Sequence, residues 1–269
     1  MKKALTHLTV INLLFLSILM ASGFFASPLK EIVYYLAFII PLALSAIINL
    51  NQKERRLLPL GLKLGRDGAI TTLTLLAPTL GIVFVLSYLT SLLVSLFGEP
   101  NITDVSGNLF VVILLHAVLP SLLEEAIFRY LPLTMLSQYS KKAAVLYSAA
   151  FFSLVHCNLF QMPYAFAAGI IFAVVDISLD SIWPSVIFHF VNNLASIIWL
   201  RYADIEGFYL VYIIVLATLS LLSLIPVFIY RKKYLKMLTD VFNDKCKEKL
   251  SLSPVAFALC CILIAVMSL

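Results

Sequence analysis

Charge is what this sequence has least of. Only 12% of its 269 residues are Asp, Glu, Lys or Arg, against about 25% in an average soluble domain. That shortage excludes an ordinary water-soluble enzyme. Polar low-complexity sequence is missing too. A hydrophobic fraction of 62% and a mean hydropathy of +1.04 exclude a disordered chain, which stays unfolded because it has too little to bury. Cysteine is scarce. Cys157, Cys246, Cys260 and Cys261 show neither CxxC nor Cys/His zinc spacing, so they build no disulfide framework and no metal cluster. They read as small membrane residues. No internal repeat and no shift in composition marks off a soluble domain.

What the sequence does have is one apolar run after another. At about 20 residues per span, the runs predict an all-α, polytopic transmembrane helical bundle of eight or nine spans. They fall at about 4–26, 32–50, 69–97, 108–133, 143–160, 162–179, 182–200, 208–230 and 250–269. Met1-Lys2-Lys3 before an apolar run has the look of a signal peptide, with small residues near Ala21–Gly23 and Ala26–Ser27. The run is long enough to span, and reads as a retained first helix. The basic residues test this map. One side collects Lys2, Lys3, the loop 51–68, Arg129, Lys141, Lys142 and the segment 231–249. Only Lys30 and Arg201, of 19 basic residues, fall on the other. The positive-inside rule therefore predicts a cytoplasmic N-terminus and, with nine spans, an external C-terminus. This asymmetry also accounts for the net charge of +5 without nucleic acid. The segment 231–249 reads as solvated anchoring of span eight, with contact to anionic lipid as the alternative. Asn101-Ile102-Thr103 is a glycosylation sequon in an outer loop, a weak signal.

An ionisable residue at the centre of a span costs about 2.5–3.5 kcal/mol on insertion scales, so each needs a reason to be there. Three clusters stand out. In Leu122-Leu123-Glu124-Glu125-Ala126-Ile127-Phe128-Arg129, Glu125 and Arg129 are spaced to pair on one helix face. Glu124 is turned about 100° away and is left available for chemistry. Phe152 and His156 form the second cluster. His189 and Asn193 share a face in the third. Taken singly, a helix end with a surface pair, a structural histidine and an interhelical clasp would explain them. Together they converge in depth. At 1.5 Å per residue, Glu124, His156, His189 and Asn193 all lie roughly 10–20 Å in from one membrane face. His116 reads as an interhelical histidine, Asp176 and Asp180 as caps before span seven, Asn192 as structural, and Gly169 as a close helix approach.

The series EExxxR (Glu124, Glu125, Arg129), FxxxH (Phe152, His156) and HxxxN (His189, Asn193) resembles the CAAX-protease and bacteriocin-processing family of intramembrane proteases, also called Abi or type II CAAX prenyl endopeptidases. The resemblance covers residues 108–200 and implies a four-helix catalytic core there, between N-terminal membrane helices at 1–107 and C-terminal ones at 201–269. It implies a glutamate-type endopeptidase acting on a membrane-associated peptide or protein tail. Glu124 would be the general base and His156 would share the water. His189 and Asn193 would donate to the oxyanion. Glu125 and Arg129 would hold the site, with a direct part for Glu125 left open, and Phe152 would pack beside His156. No cofactor is expected, although Glu plus two His leaves zinc open; no HExxH occurs. The expected partners are the substrate and the lipid bilayer, with no nucleic acid. The expected location is a multi-pass protein of a bacterial inner membrane. A non-catalytic scaffold or self-immunity protein, and a proton-coupled transporter, are the alternatives.

Overall fold

The computed structural model describes residues 1–50, 61–96 and 104–245. The sequon at Asn101, the ninth apolar run and three of the four cysteines lie outside the described residues. The rest is helical: α1 Lys2–Ser22, α2 Leu29–Leu50, α3 Arg66–Val94, α4 Leu109–Leu136, α5 Lys141–Leu154, α6 Met162–Leu179, α7 Trp183–Tyr202, α8 Phe208–Ile229 and α9 Arg231–Phe242. Among the described residues, 7 of these helices are long and apolar enough to cross a membrane. The chain is an all-α, multi-pass integral membrane protein.

α4 is the hub. It packs against α1, α2, α5 and α7, while α5 and α6 form the closest pair and α3 leans on α6 and α8. The buried residues concentrate in α1 and from α4 to α7. α8 has none, and its apolar side chains face outward, as a lipid solvent permits.

The fifth run departs from the sequence expectation. It predicts a span over 143–160, but α5 has 14 residues and ends at Leu154. Local chemistry stops it. Cys157 adopts a left-handed φ of 45°, and the Asn158 side chain accepts the Phe160 amide at 2.9 Å. Pro163 then opens α6. His156 therefore sits on a turn just past the helix rather than deep within it.

α4 is continuous but not uniform. It widens into π-turns at Leu114–Val118 and Ala126–Tyr130, each followed by a proline, Pro120 or Pro132. Proline has no N–H and its ring pushes on the preceding turn, so a carbonyl is released. In both places a side chain takes it. The Tyr35 hydroxyl of α2 donates to Leu115 O at 2.8 Å. The Ser148 hydroxyl of α5 donates to Phe128 O. The prolines thus create the sockets that lock α2 and α5 onto α4.

Gly169 lets α5 and α6 meet closely. A Cβ built there would lie 2.9 Å from Ala149 Cα and 3.4 Å from Arg129 Nη2. Backbone cannot yield as a flexible side chain does. Gly169→Val is expected to destabilise the fold by about 1–3 kcal/mol, read as a lower thermal unfolding midpoint of the purified protein in detergent.

Candidate functional site

The site is built from the middle of α4, the end of α5, and α7, with α6 behind it. Glu124 and Glu125 precede the second π-turn of α4, and Arg129 lies within it. Arg129 Nε lies 3.5 Å from Glu125 Oε2, and both side chains are fully buried. The predicted pair is present, and it is an interior pair.

Arg129 is held by more than Glu125. Its guanidinium carbon stands 4.0 Å from the Phe152 ring centroid and 5.7 Å from that of Phe172. A desolvated cation over an aromatic face gains about 2 kcal/mol. Asp176, also fully buried, lies within Coulombic reach of Arg129 and of Glu125. Asp176 Oδ1 accepts the Ser185 amide at 3.0 Å and so caps the start of α7. The capping role expected of Asp176 is present, with an electrostatic one added to it. Asp180 instead ends α6 in a left-handed conformation, φ 48°.

His189 connects α7 to both glutamates. Its Nδ1 is 2.8 Å from Glu125 Oε1, and its Nε2 is 3.8 Å from Glu124 Oε2. A carboxylate only accepts, so Nδ1 carries the proton in the bond to Glu125. The two adjacent glutamates are therefore unequal. Glu125 is spent on Arg129 and His189. Glu124 keeps 14% of its side-chain surface exposed and is outside hydrogen-bond range of His189.

His156 reaches the same place from the turn after α5. Its Nδ1 lies 2.6 Å from Phe152 O. A carbonyl can only accept, so Nδ1–H donates and a neutral ring presents its Nε2 lone pair. The Phe152 ring meets His156 edge-on at 5.0 Å and His189 edge-on at 5.5 Å, with Arg129 over its face. Phe152 is thus the post around which the cation and both imidazoles are set. His156 lies within Coulombic reach of Glu124.

The structure brings together Glu124, Glu125, Arg129, Phe152, His156 and His189. Asn193 follows one turn after His189 on α7 and is half-buried. Asn192 is half-buried too, and its backbone carbonyl accepts from the Ser196 hydroxyl at 3.1 Å. His116 departs from its expectation: the first π-turn leaves it exposed instead of between helices. Residues the sequence did not single out include Ser185, Phe172, Ser148 and Tyr34, which lies within Coulombic reach of Glu124. None carried a signal, because serines and aromatics are ordinary in apolar helices. Among the described residues, no three His, Cys, Asp or Glu side chains are grouped so as to hold a metal ion.

Residues 106–195 match the family described as type II CAAX prenyl endopeptidase Rce1-like. The matched segment runs from just before α4 to just past Asn193 and contains every residue of the cluster. It is the family that the three motifs resemble. No curated protein and no solved structure matches the chain.

Removing one partner of a buried ion pair strands the other charge, at about 3–5 kcal/mol. Arg129→Met should destabilise by that order. The double variant Glu125→Gln/Arg129→Met should recover a substantial part of the loss. A double-mutant cycle on thermal unfolding checks this, and purely additive losses would contradict it.

Proposed function

From a membrane-embedded core of the CAAX protease family, we propose a glutamate-activated intramembrane endopeptidase that cuts a membrane-associated peptide or protein tail. The observation that supports it most is the inequality of the two glutamates. Glu125 is tied up in a buried bridge, while Glu124 sits beside it, partly exposed, with His189 Nε2 no nearer than 3.8 Å.

In this reading a water lies between Glu124 and the free nitrogen of His156. Glu124 takes one of its protons as the oxygen attacks the scissile carbonyl carbon. The C=O π electrons move onto oxygen. His189, doubly protonated and held through Nδ1 by Glu125, donates from Nε2 to that oxyanion together with the Asn193 amide. Collapse of the tetrahedral species breaks the C–N bond, and Glu124 returns its proton to the leaving nitrogen. The products are a carboxylic acid and an amine. Glu125 plays the part of a buried orienting carboxylate, fixing the His189 ring and its tautomer. Arg129 neutralises Glu125 so that the buried carboxylates do not repel one another. No resident metal takes part. The reading places the N-terminus in the cytoplasm, with the site opening toward that side of a bacterial inner membrane.

The test compares wild type with Glu124→Gln at equal abundance, by mass spectrometry of peptide and membrane-protein termini. Termini made only by wild type are expected. Once a cleaved peptide is in hand, Glu124→Gln and His156→Ala should each lower turnover by about 10²–10⁴-fold with little change in unfolding midpoint. Metal analysis of the active protein should find less than one equivalent of zinc. Identical termini with and without Glu124 would favour a scaffold, and solute flux lost with Glu124→Gln would favour a transporter.

A further inference from the structure

A second polar feature lies away from the protease cluster, at the membrane face where α4 ends, α5 begins and α6 ends. There α9 crosses against α5 and α6. A cleft of about 190 Å³ opens between the three helices, and Lys141, Lys233 and Lys236 converge on it. Asp240 and Ser178 complete its polar lining. Three lysines thus line the cleft with one carboxylate. A second carboxylate, Asp244, stands at the start of α5 and accepts the Lys141 backbone amide at 2.5 Å. Lys233 is held in place from the side, donating to Thr71 Oγ1 of α3 at 2.6 Å.

The level of this cleft in the bilayer follows from helix length. α6 has 18 residues. At 1.5 Å per residue it spans about 27 Å, close to the thickness of the hydrocarbon layer. Ile177 and Ser178, in its last turn, therefore stand where acyl chains give way to headgroups. α9 lies at the same level, because it begins one residue after the 22-residue α8 ends. It has the pattern of an interfacial helix: Met237 and Val241 are buried toward the bundle, Leu235 and Leu238 are exposed, and lysines ride beside them. A cationic pocket with an apolar floor of Ile177, Met237 and Val241, at the depth of lipid phosphates, fits a phosphodiester with acyl chains better than a soluble anion.

We propose that the Lys141–Lys233–Lys236 cleft binds the phosphate of an anionic phospholipid headgroup. The ammonium groups donate to the phosphate oxygens. Asp240 and Ser178 suit a headgroup that carries hydroxyls, with Asp240 accepting from one of them. The site stands independently of the protease cluster, since none of its residues belongs to it.

The full-length protein in phosphatidylcholine nanodiscs would be titrated with phosphatidylglycerol, and lipid retention read by native mass spectrometry. Wild type is expected to retain phosphatidylglycerol selectively. Lys141→Gln/Lys236→Gln should weaken retention roughly thirtyfold, the loss expected for two lysines near a charged surface. Lys141→Arg/Lys236→Arg, which preserves charge and controls for folding, should keep it. Arg231→Gln/Lys232→Gln, on the same helix outside the cleft, should leave it unchanged. Undiminished retention by the Gln variant would overturn the proposal. Equal loss in the Arg231/Lys232 variant would reduce it to general surface charge. Binding of inorganic phosphate by the detergent-solubilised protein, with the same lysine dependence and no preference among lipids, would overturn the lipid assignment in favour of a soluble anion.

Discussion

Inside a bilayer there is no water to solvate a charge, so every ionised side chain must find its partners within the protein. Arg129 obeys that constraint most visibly. It is the largest fully buried side chain of the described residues. Glu125 lies against it, the face of Phe152 stands over it, and Asp176 lies in reach behind. Gly169 keeps the space beside it open, because a side chain there would press on the guanidinium. Three helices, α4, α5 and α6, meet at this one cation, and the site is set out from it.

The proline-linked π-turns of α4 obey the same constraint at the backbone. A carbonyl that loses its helical partner in hydrocarbon must be satisfied by a neighbour. Tyr35 and Ser148 supply the donors. An apparent defect in the helix thereby becomes a docking point, and the widened turns set the directions of Glu124, Glu125 and Arg129. Arg129 also donates weakly to Phe128 O, at 3.4 Å, joining the ionic and backbone solutions at one residue.

From this follows a division of labour that chemistry can use. One glutamate holds the framework through Arg129 and His189. Its neighbour on the chain, turned by one residue, escapes both bonds and meets the two imidazoles. A buried carboxylate is costly, and the cost is offset by making the first one structural. Phe152 binds the parts together, since its ring touches the cation and both histidines.

Much of this was legible in the amino-acid order. Apolar run length located α1 to α4 and α6 to α8 within a few residues, because the hydrocarbon layer admits only helices of about 20 residues. The spacing of Glu125 and Arg129 determined that they pair, and that of His189 and Asn193 that they share a face, since helical geometry is local. The early end of α5 was harder to read. Asn158 and the left-handed Cys157 act through turn chemistry that apolar periodicity does not register. What only the tertiary structure decided is which partners meet across helices. It set Glu125, rather than Glu124, against His189 Nδ1, left His116 exposed, put Asp176 behind Arg129, and let Tyr35 and Ser148 take the carbonyls released by proline. Those choices depend on the rotation of one helix against another, and that rotation is set by contacts such as Gly169 on Ala149 that no single segment contains.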